Sequence, residues 1–67
     1  MKLRTRNQIP GTIEEITRGS TVSQITVNVG NLIVHSAITN DASDDLGLKV
    51  GDKILVVIKA SDVMIGK

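Results

Sequence analysis

Apolar and polar residues alternate along several short stretches of the chain, which is typical of strands with one buried face. The clearest stretch covers residues 24–29, where Gln24, Thr26 and Asn28 alternate with apolar neighbours. Gly30 and Asn31 follow as a two-residue connection of the kind that a tight primed turn requires. A second strand is predicted from Leu32 to about Thr39. The two strands and the turn predict a β-hairpin.

The first 20 residues give a less regular pattern. Cationic Lys2, Arg4 and Arg6 alternate with other residues, so an extended segment would place all three cations on one face. We expect Pro10 and Gly11 to interrupt that segment. From residue 12 to 18 the apolar positions are three apart, which suits either a helical turn or a strand bulged at the two glutamates, and the β-branched content favours the bulged strand. Gly19 and Ser20 then predict a turn.

The second half of the chain predicts one helix and two more strands. Asn40 or Asp41 is expected to cap a short helix over residues 43–46, and Gly47 to end it in the left-handed conformation. The stretch Ile54–Ile58 is apolar at every position, which predicts a strand covered on one face by the core and on the other by a neighbouring subunit. Residues 60–62 permit a sharp turn into a final strand, Val63–Ile65.

Five or six short strands with one helix predict an all-β fold, a small Greek-key barrel resembling the OB-fold. At 67 residues the chain is expected to form a single domain, residues 1–67. A domain this small buries little surface, and it has neither cysteines nor aromatic residues to compensate. Oligomerisation is therefore the predicted source of extra stability.

Charge and residue types argue against several classes of function. A net charge of +1 and the lack of aromatic stacking residues argue against nucleic-acid binding. The longest strongly apolar run is five residues, far short of a membrane span, and cytoplasm is the expected location. The single histidine, His35, alternates with Ile33 and Ala37, so we interpret it as part of a barrel face or interface, with no catalytic role and no metal site.

An oxyanion site needs fixed cations, small hydroxyl side chains and backbone donors. The chain has residues of these types near predicted strand ends: Arg4, Arg6, Thr39, Lys59 and Ser61. Residue types alone do not bring these positions together. An anion site and ordinary solvated surface both remain open at this point.

Four segments of the chain form a set of motifs in a fixed order: Arg6-Asn7-Gln8, Ala37-Ile38-Thr39, Leu46-Gly47-Leu48-Lys49-Val50-Gly51-Asp52-Lys53 and Ile58-Lys59-Ala60-Ser61-Asp62-Val63-Met64. Together they resemble the molbindin family, whose Mop-type domains are related to those of molybdate-responsive regulators and molybdate importers. The similarity covers essentially the whole chain. It implies an OB-like barrel that exchanges a strand with a partner, dimers that assemble into a hexamer, and molybdate or tungstate bound between subunits without catalysis.

The resemblance also implies which residues bind the anion. The expected oxyanion-binding positions are Arg4, Thr5, Arg6, Asn7, Thr39, Lys59, Ala60 and Ser61, with Gly19 and Ser20 at a second oxyanion site. Our hypothesis places Arg6 of one chain against Lys59 of another. The implied ligand is molybdate or tungstate, with no organic cofactor, serving intracellular molybdenum storage or homeostasis. Molybdate transport or cofactor-synthesis proteins are the implied further partners.

Two positions depart from the family pattern. Arg4 stands where the family usually has a serine, and Ala42 stands three residues after Thr39, where a second serine is usual. Each missing hydroxyl would weaken an anion site by roughly 1–2 kcal/mol. We hypothesise that Arg4 partly replaces them. The alternative is an oligomeric scaffold, or an accessory module of a molybdate transporter or regulator, with a degenerate anion site.

Overall fold

The protein is described by a computed structural model over residues 6–67. Its elements are β1 (Arg6–Arg18), β2 (Val22–Asn28), β3 (Ile33–Thr39), α1 (Asn40–Leu46), β4 (Lys53–Lys59) and a 3₁₀ turn (Ala60–Asp62). The four strands form one antiparallel sheet in the order β3-β2-β1-β4. This is the Greek-key order, because the fourth strand returns to lie beside the first. The predicted all-β class with one short helix is confirmed, although the described residues form four strands where we predicted five or six.

β1 is the long central strand and changes its partner halfway. Its first half, Arg6–Thr12, pairs with β4, and its second half pairs with β2. The register shifts between Ile13 and Glu15, so the predicted bulge is confirmed. The predicted interruption at Pro10 is wrong, because β1 continues through it. At Pro10 the strand has a neighbour on one side only, and a missing backbone N–H is tolerated at such an edge.

Gly11 marks the point where β1 passes from one partner to the other. A Cβ atom built at this position would lie 2.6 Å from Val27 Cγ1 and 2.9 Å from the Asn28 carbonyl oxygen. Both distances are far below van der Waals contact, so only glycine lets the strands approach this closely. Gly11, which we expected to interrupt the strand, is therefore what allows β1 to lie this close to β2.

The β2–β3 hairpin has the predicted turn. Gly30 and Asn31 have φ angles of 68° and 72°, as a primed turn requires at both central positions. The Val29 N–H donates to the Leu32 carbonyl at 2.7 Å and closes the turn. The hairpin is confirmed, with β3 beginning at Ile33.

Helix α1 begins earlier than predicted and has a different cap. Thr39 is the N-cap, and its Oγ1 accepts a hydrogen bond from the Ala42 N–H at 3.1 Å. The prediction of Asn40 or Asp41 as the cap is wrong, because the extended backbone of Thr39 already presents a hydroxyl to the first turn. Gly47 ends the helix in the left-handed conformation, with φ of 63°, as predicted.

The core is small and the apolar surface is large. Among the described residues three apolar side chains are buried, Ile13, Ile25 and Val27, and partly buried apolar residues surround them. An open apolar cleft of about 740 Å³ lies between β2, β3 and β4. On β4, Ile54 and Val56 face the core, while Leu55 and Val57 are each 54% exposed. A neighbouring subunit over this outer face stays a prediction.

The last residues do not form the predicted strand. After the 3₁₀ turn, residues 63–67 have no regular secondary structure, so the prediction of a strand over Val63–Ile65 is wrong for the described chain. A strand needs a paired neighbour, and no other segment of residues 6–67 pairs with this one. Met64 and Ile65 are about nine-tenths exposed. Among the described residues, no helix has the length and hydropathy needed to cross a membrane.

Candidate functional site

Two cations lie directly opposite each other at one end of the β1–β4 pair. Arg6 is the register partner of Lys59, and both residues are exposed. Residues directly opposite in antiparallel strands have Cβ atoms about 4.5–5.5 Å apart, and like charges at that separation repel. Within residues 6–67, neither cation forms an ion pair with a carboxylate. This end of the sheet therefore carries two positive charges that no described acidic side chain compensates.

Other candidate residues are continuous with this cation pair. Asn7 donates from Nδ2 to the Ile58 carbonyl oxygen at 3.2 Å, which ties β1 to β4 one residue from both cations. Lys59 leads into the 3₁₀ turn, where Ala60 and Ser61 are exposed. The structure thus brings together, within one chain, Arg6, Asn7, Lys59, Ala60 and Ser61. Arg4 and Thr5 lie outside the described residues.

Thr39 lies at the other end of the sheet. It pairs with Val22 at the start of β2, close to the end of β1 at Arg18, whereas Arg6 begins β1. β1 has 13 residues at about 3.3 Å each, so Thr39 and the cation pair are far apart within one protomer. Our hypothesis put Arg6 and Lys59 in different chains and Thr39 with them. In the single chain the two cations are neighbours and Thr39 is remote.

The turn Gly19–Val22, next to Thr39, is held by a network of hydrogen bonds. Asn40 donates from Nδ2 to the Gly19 carbonyl at 3.0 Å and from its backbone N–H to the Thr21 carbonyl at 2.8 Å. Ser23, fully buried, donates from Oγ to Asn40 Oδ1. A Cβ atom at Gly19 would lie 2.7 Å from the Val22 carbonyl oxygen. The turn that contains the second predicted site, Gly19 and Ser20, is therefore rigidly built.

Arg18, beside this turn, has its charge compensated. Its guanidinium donates to both carboxylate oxygens of Asp44, at 2.9 and 3.2 Å. The hydrogen bond and the opposite charge lower the pKa of Asp44 and raise that of Arg18. This pair connects α1 to the end of β1.

Sequence reasoning missed Asn40 and Ser23. One signal was available: Ser23 shares its face of β2 with buried Ile25 and Val27, and a hydroxyl in that position needs a buried partner. Asn40, directly after β3, could have been that partner. The Arg6–Lys59 register left no such signal, because 52 positions separate the two residues along the chain.

The positions Ala42, Ser43 and His35 add no donor to the cation pair. Ser43, one residue beyond the family's usual serine position, is 6% exposed and sits in α1 at the far end of the sheet. His35 is exposed on β3 and its Nδ1 lies 3.4 Å from the Thr26 hydroxyl, which agrees with our interpretation of a residue on a barrel face. No group of three potential metal ligands occurs within residues 6–67.

Comparison with known proteins identifies relatives over the full length of the chain. Residues 4–65 match the TOBE domain family. Molybdenum-pterin-binding protein 3 of Clostridium pasteurianum is 35% identical over 66 residues, 97% of each chain. A molybdate-binding protein of Sporomusa ovata has the same fold, with a TM-score of 0.93 and 33% identity over the whole of both chains.

A third relative has a known ligand. The cytoplasmic molybdate-binding protein ModG, solved with molybdate bound, is 35% identical with a TM-score of 0.87. The match covers 96% of this chain and 46% of that one. The matched residues include Arg6, Asn7 and the segment Lys59–Ser61. The chain belongs to the TOBE domain family and, within it, to the molybdenum-pterin-binding proteins.

Proposed function

We propose that this protein binds molybdate or tungstate at the end of the β1–β4 pair and catalyses no reaction. The observation that carries the proposal is the Arg6–Lys59 register, which sets two exposed cations side by side without a described carboxylate to neutralise them. An arrangement that repels itself when empty is stabilised by a doubly charged anion. The names of the relatives, two of which are molybdate-binding proteins, supply the class of anion.

The neighbouring groups suit a tetrahedral oxyanion. The Ser61 hydroxyl and the backbone N–H groups of the 3₁₀ turn offer neutral donors beside Lys59. Arg6 can present two N–H groups to two oxygens of one anion, and such charge-assisted bonds contribute about 1.5–3 kcal/mol. Sulfate has the same charge and shape as molybdate, so we attribute any preference for molybdate to a slightly larger cavity. The Gly19–Ser20 turn is retained as a proposed second oxyanion site.

Self-association is the second part of the proposal. Exposed apolar side chains lie along β4 and in the last residues of the chain: Leu55, Val57, Val63, Met64 and Ile65. Burying this surface between protomers would contribute about 25 cal/mol per Å². The core has three buried apolar side chains among the described residues, so the fold needs this additional stabilisation. We propose strand-exchanged dimers assembled into a hexamer. An anion held between protomers would stabilise that assembly by mass action. We propose that the assembly serves intracellular storage of molybdenum.

Calorimetric titration with molybdate, tungstate, sulfate and phosphate tests the proposal. We expect binding of the first two, and an affinity lower by about 10- to 100-fold in Lys59→Ala, from the loss of one charge-assisted hydrogen bond. Lys53→Ala is the matched control, because Lys53 is also an exposed lysine of β4 but pairs with Thr12 at the other end. It removes the same charge and should leave the affinity unchanged.

Two outcomes would contradict the proposal. Wild-type protein that gives no heat with molybdate or tungstate has no such site, and an intact oligomer would then support the scaffold alternative. Equal losses in Lys59→Ala and Lys53→Ala would show that only overall charge matters. Native mass spectrometry with and without molybdate measures the size of the assembly and the number of anions that it holds.

A further inference from the structure

We propose that this chain has no stable folded monomer, because a second copy must cover its open cleft and the outer face of β4. Folding and assembly are then a single step. The inference rests on the proposed function, which supplies the oligomer and its oxyanion ligand. It adds a form of regulation: chains that assemble with the oxyanion are folded and resist proteases, whereas chains without a partner are unfolded.

More large apolar side chains lie outside the core than inside it. Among the described residues three are buried, Ile13, Ile25 and Val27, whereas seven are more than half exposed. Seven side chains of this size present on the order of 500 Å² of apolar surface. A standard interface takes about 800 Å² from each partner, of which somewhat more than half is apolar. The exposed apolar surface therefore matches what one interface with a second copy buries.

The sheet is open where its core needs a cover. Within residues 6–67, β3 and β4 are the two edges of the sheet and do not pair with each other, and the apolar cleft of about 740 Å³ lies between them. Two of the three buried core residues, Ile25 and Val27, line this cleft. Leu46, Leu55 and Val57 line it too and are more than half exposed, and we call these three residues the cleft rim. Solvent therefore reaches the core through the cleft until another surface covers the rim.

The polar contacts of α1 do not replace the missing apolar packing. Leu46 of α1 is 70% exposed, and the contacts of α1 with the strands include the Ser23–Asn40 hydrogen bond and the Arg18–Asp44 ion pair. Both members of the ion pair are exposed, and such pairs contribute little to stability. A small domain with so few buried side chains and no cysteine to form a disulfide depends on oligomerisation for a stable fold.

The cation pair makes assembly depend on the oxyanion. Each copy brings Arg6 and Lys59, which no carboxylate of residues 6–67 neutralises, so assembly without an anion concentrates positive charge. An oxyanion held between protomers relieves that repulsion and binds the assembled form. At a molybdate concentration 100 times its dissociation constant, the ratio of assembled to unfolded chain rises by about 100-fold for each site. The supply of oxyanion thus determines how much of the protein is folded.

Dilution of the wild-type protein tests whether a folded monomer exists. Native mass spectrometry measures the assembled fraction, and far-ultraviolet circular dichroism measures the β-sheet signal, over the same series of protein concentrations. Urea is added in steps until the assembly dissociates within the accessible range. We expect the sheet signal and the assembled fraction to fall together, because an obligate oligomer has no folded monomer. Monomer that keeps the sheet signal after the assembly has dissociated would overturn the inference.

Two lysine substitutions test whether the cleft rim is covered. Leu55→Lys places a charge on the rim at a position that is 54% exposed in the single chain, where a folded monomer would tolerate it. We expect both the assembly and the sheet signal to be lost. Thr17→Lys is the matched control and should keep both, because Thr17 is also exposed on the sheet but pairs with the polar, exposed Gln24. A Leu55→Lys chain that is monomeric but folded, or one that assembles like wild type, would overturn the inference.

Molybdate separates this inference from the proposed function. We expect molybdate to move the loss of assembly and the loss of sheet signal together to lower protein concentration, and to slow digestion by trypsin in dilute solution. Sodium chloride at the same ionic strength is the control. Failure of molybdate to move either curve contradicts the proposed function, and curves that still coincide support the coupling of folding to assembly. Curves that separate contradict the coupling, even when molybdate binds.

Discussion

The two ends of β1 each carry an arginine, and the two arginines have opposite surroundings. Arg18 donates to both oxygens of Asp44, so its charge is compensated within the chain. Arg6 lies opposite Lys59, so this end of the strand carries two adjacent positive charges. Both arginines are exposed and each occupies one terminal position of the same strand, Arg6 the first and Arg18 the last. Residue type and exposure therefore do not distinguish the two arginines, whereas the charge of the cross-strand or packed neighbour does, and it is the basis on which we propose anion binding at Arg6.

The two ends also differ in what holds them. Around Arg18 a buried polar network joins Ser23, Asn40 and the Gly19 carbonyl. Around Arg6 the strands are joined by backbone pairing and, among the side chains that the structure describes, by one exposed bond from Asn7. At the Arg18 end the polar groups bond to one another, whereas at the Arg6 end neither cation forms an ion pair with a carboxylate of residues 6–67. Exchanging the charges at the two ends tests this contrast.

Reversing the charge at Lys59 should have the largest effect. Lys59→Glu places a carboxylate opposite Arg6, so it removes one cation and gives the other an internal partner. We expect molybdate affinity to fall by about 100-fold or more, because a charge-assisted bond of about 1.5–3 kcal/mol is lost and repulsion is added. The free energy of unfolding should change by less than about 1 kcal/mol, as for an exposed ion pair.

The reciprocal change is the control. Asp44→Lys places a lysine against Arg18 and recreates the repulsive pair at the other end of β1. It should leave affinity for the Arg6–Lys59 site within a few-fold of wild type and lower thermal stability slightly. Calorimetry and thermal unfolding of both variants make the comparison. Equal loss of affinity in the two variants would show that the neighbour's charge does not determine which arginine binds.

Removing an amide at each end should affect stability unequally. Asn40 is 8% exposed, and Asn40→Ala leaves the buried Ser23 hydroxyl and the Gly19 carbonyl without their partner. We expect the free energy of unfolding to fall by about 2–3 kcal/mol. Asn7→Ala removes one exposed bond and should cost about 0.5–1 kcal/mol. Denaturant unfolding at one fixed protein concentration measures both, and equal losses would contradict the contrast between the ends.

Local patterns in the sequence correctly predicted the features that depend on residues close together in the chain. Gly30-Asn31 indicated the primed turn, the spacing of Ile13 and Ile16 indicated the bulge, and Gly47 indicated the end of the helix. Each of these features depends on a few consecutive residues, whose φ angles or spacing leave few alternatives. The Greek-key class followed from the order of such elements.

The errors arose where distant segments meet. Pro10 was expected to end a strand, and its place at an edge of the sheet depends on where β2 stops. Thr39 and Arg6 lie at opposite ends of the sheet within one chain, so their predicted grouping at a site between subunits stays a prediction. The Arg6–Lys59 register depends on pairing across most of the chain. The candidate site residues named from the sequence stay predictions, and which of them are neighbours within one chain could not be inferred from the sequence.

Salt should weaken anion binding more than it weakens the fold. Dissolved ions screen exposed charges, and the screening length falls from about 10 Å at 0.1 M to about 3 Å at 1 M. Arg6 and Lys59 are both exposed, so molybdate affinity should fall several-fold over this range of sodium chloride. The core of Ile13, Ile25 and Val27 is apolar, and its burial should hold or strengthen slightly. Unchanged affinity in calorimetry at the two salt concentrations would contradict a site held by exposed cations.

Acid should remove the contribution of the Arg18–Asp44 pair, which is the smallest effect because both side chains are more than half exposed. The hydrogen bond and charge of Arg18 hold the pKa of Asp44 below its ordinary value. Near that ordinary value the unfolded chain binds the proton more readily than the folded one, so stability rises with pH there. The contribution is complete above the unfolded pKa and is lost as the pH falls through the lowered, folded one. We expect wild type to exceed Asp44→Asn in thermal midpoint at neutral pH, with the difference shrinking to nothing in acid. A difference that persists below the folded pKa would mean that Asp44 stabilises α1 by something other than its charge.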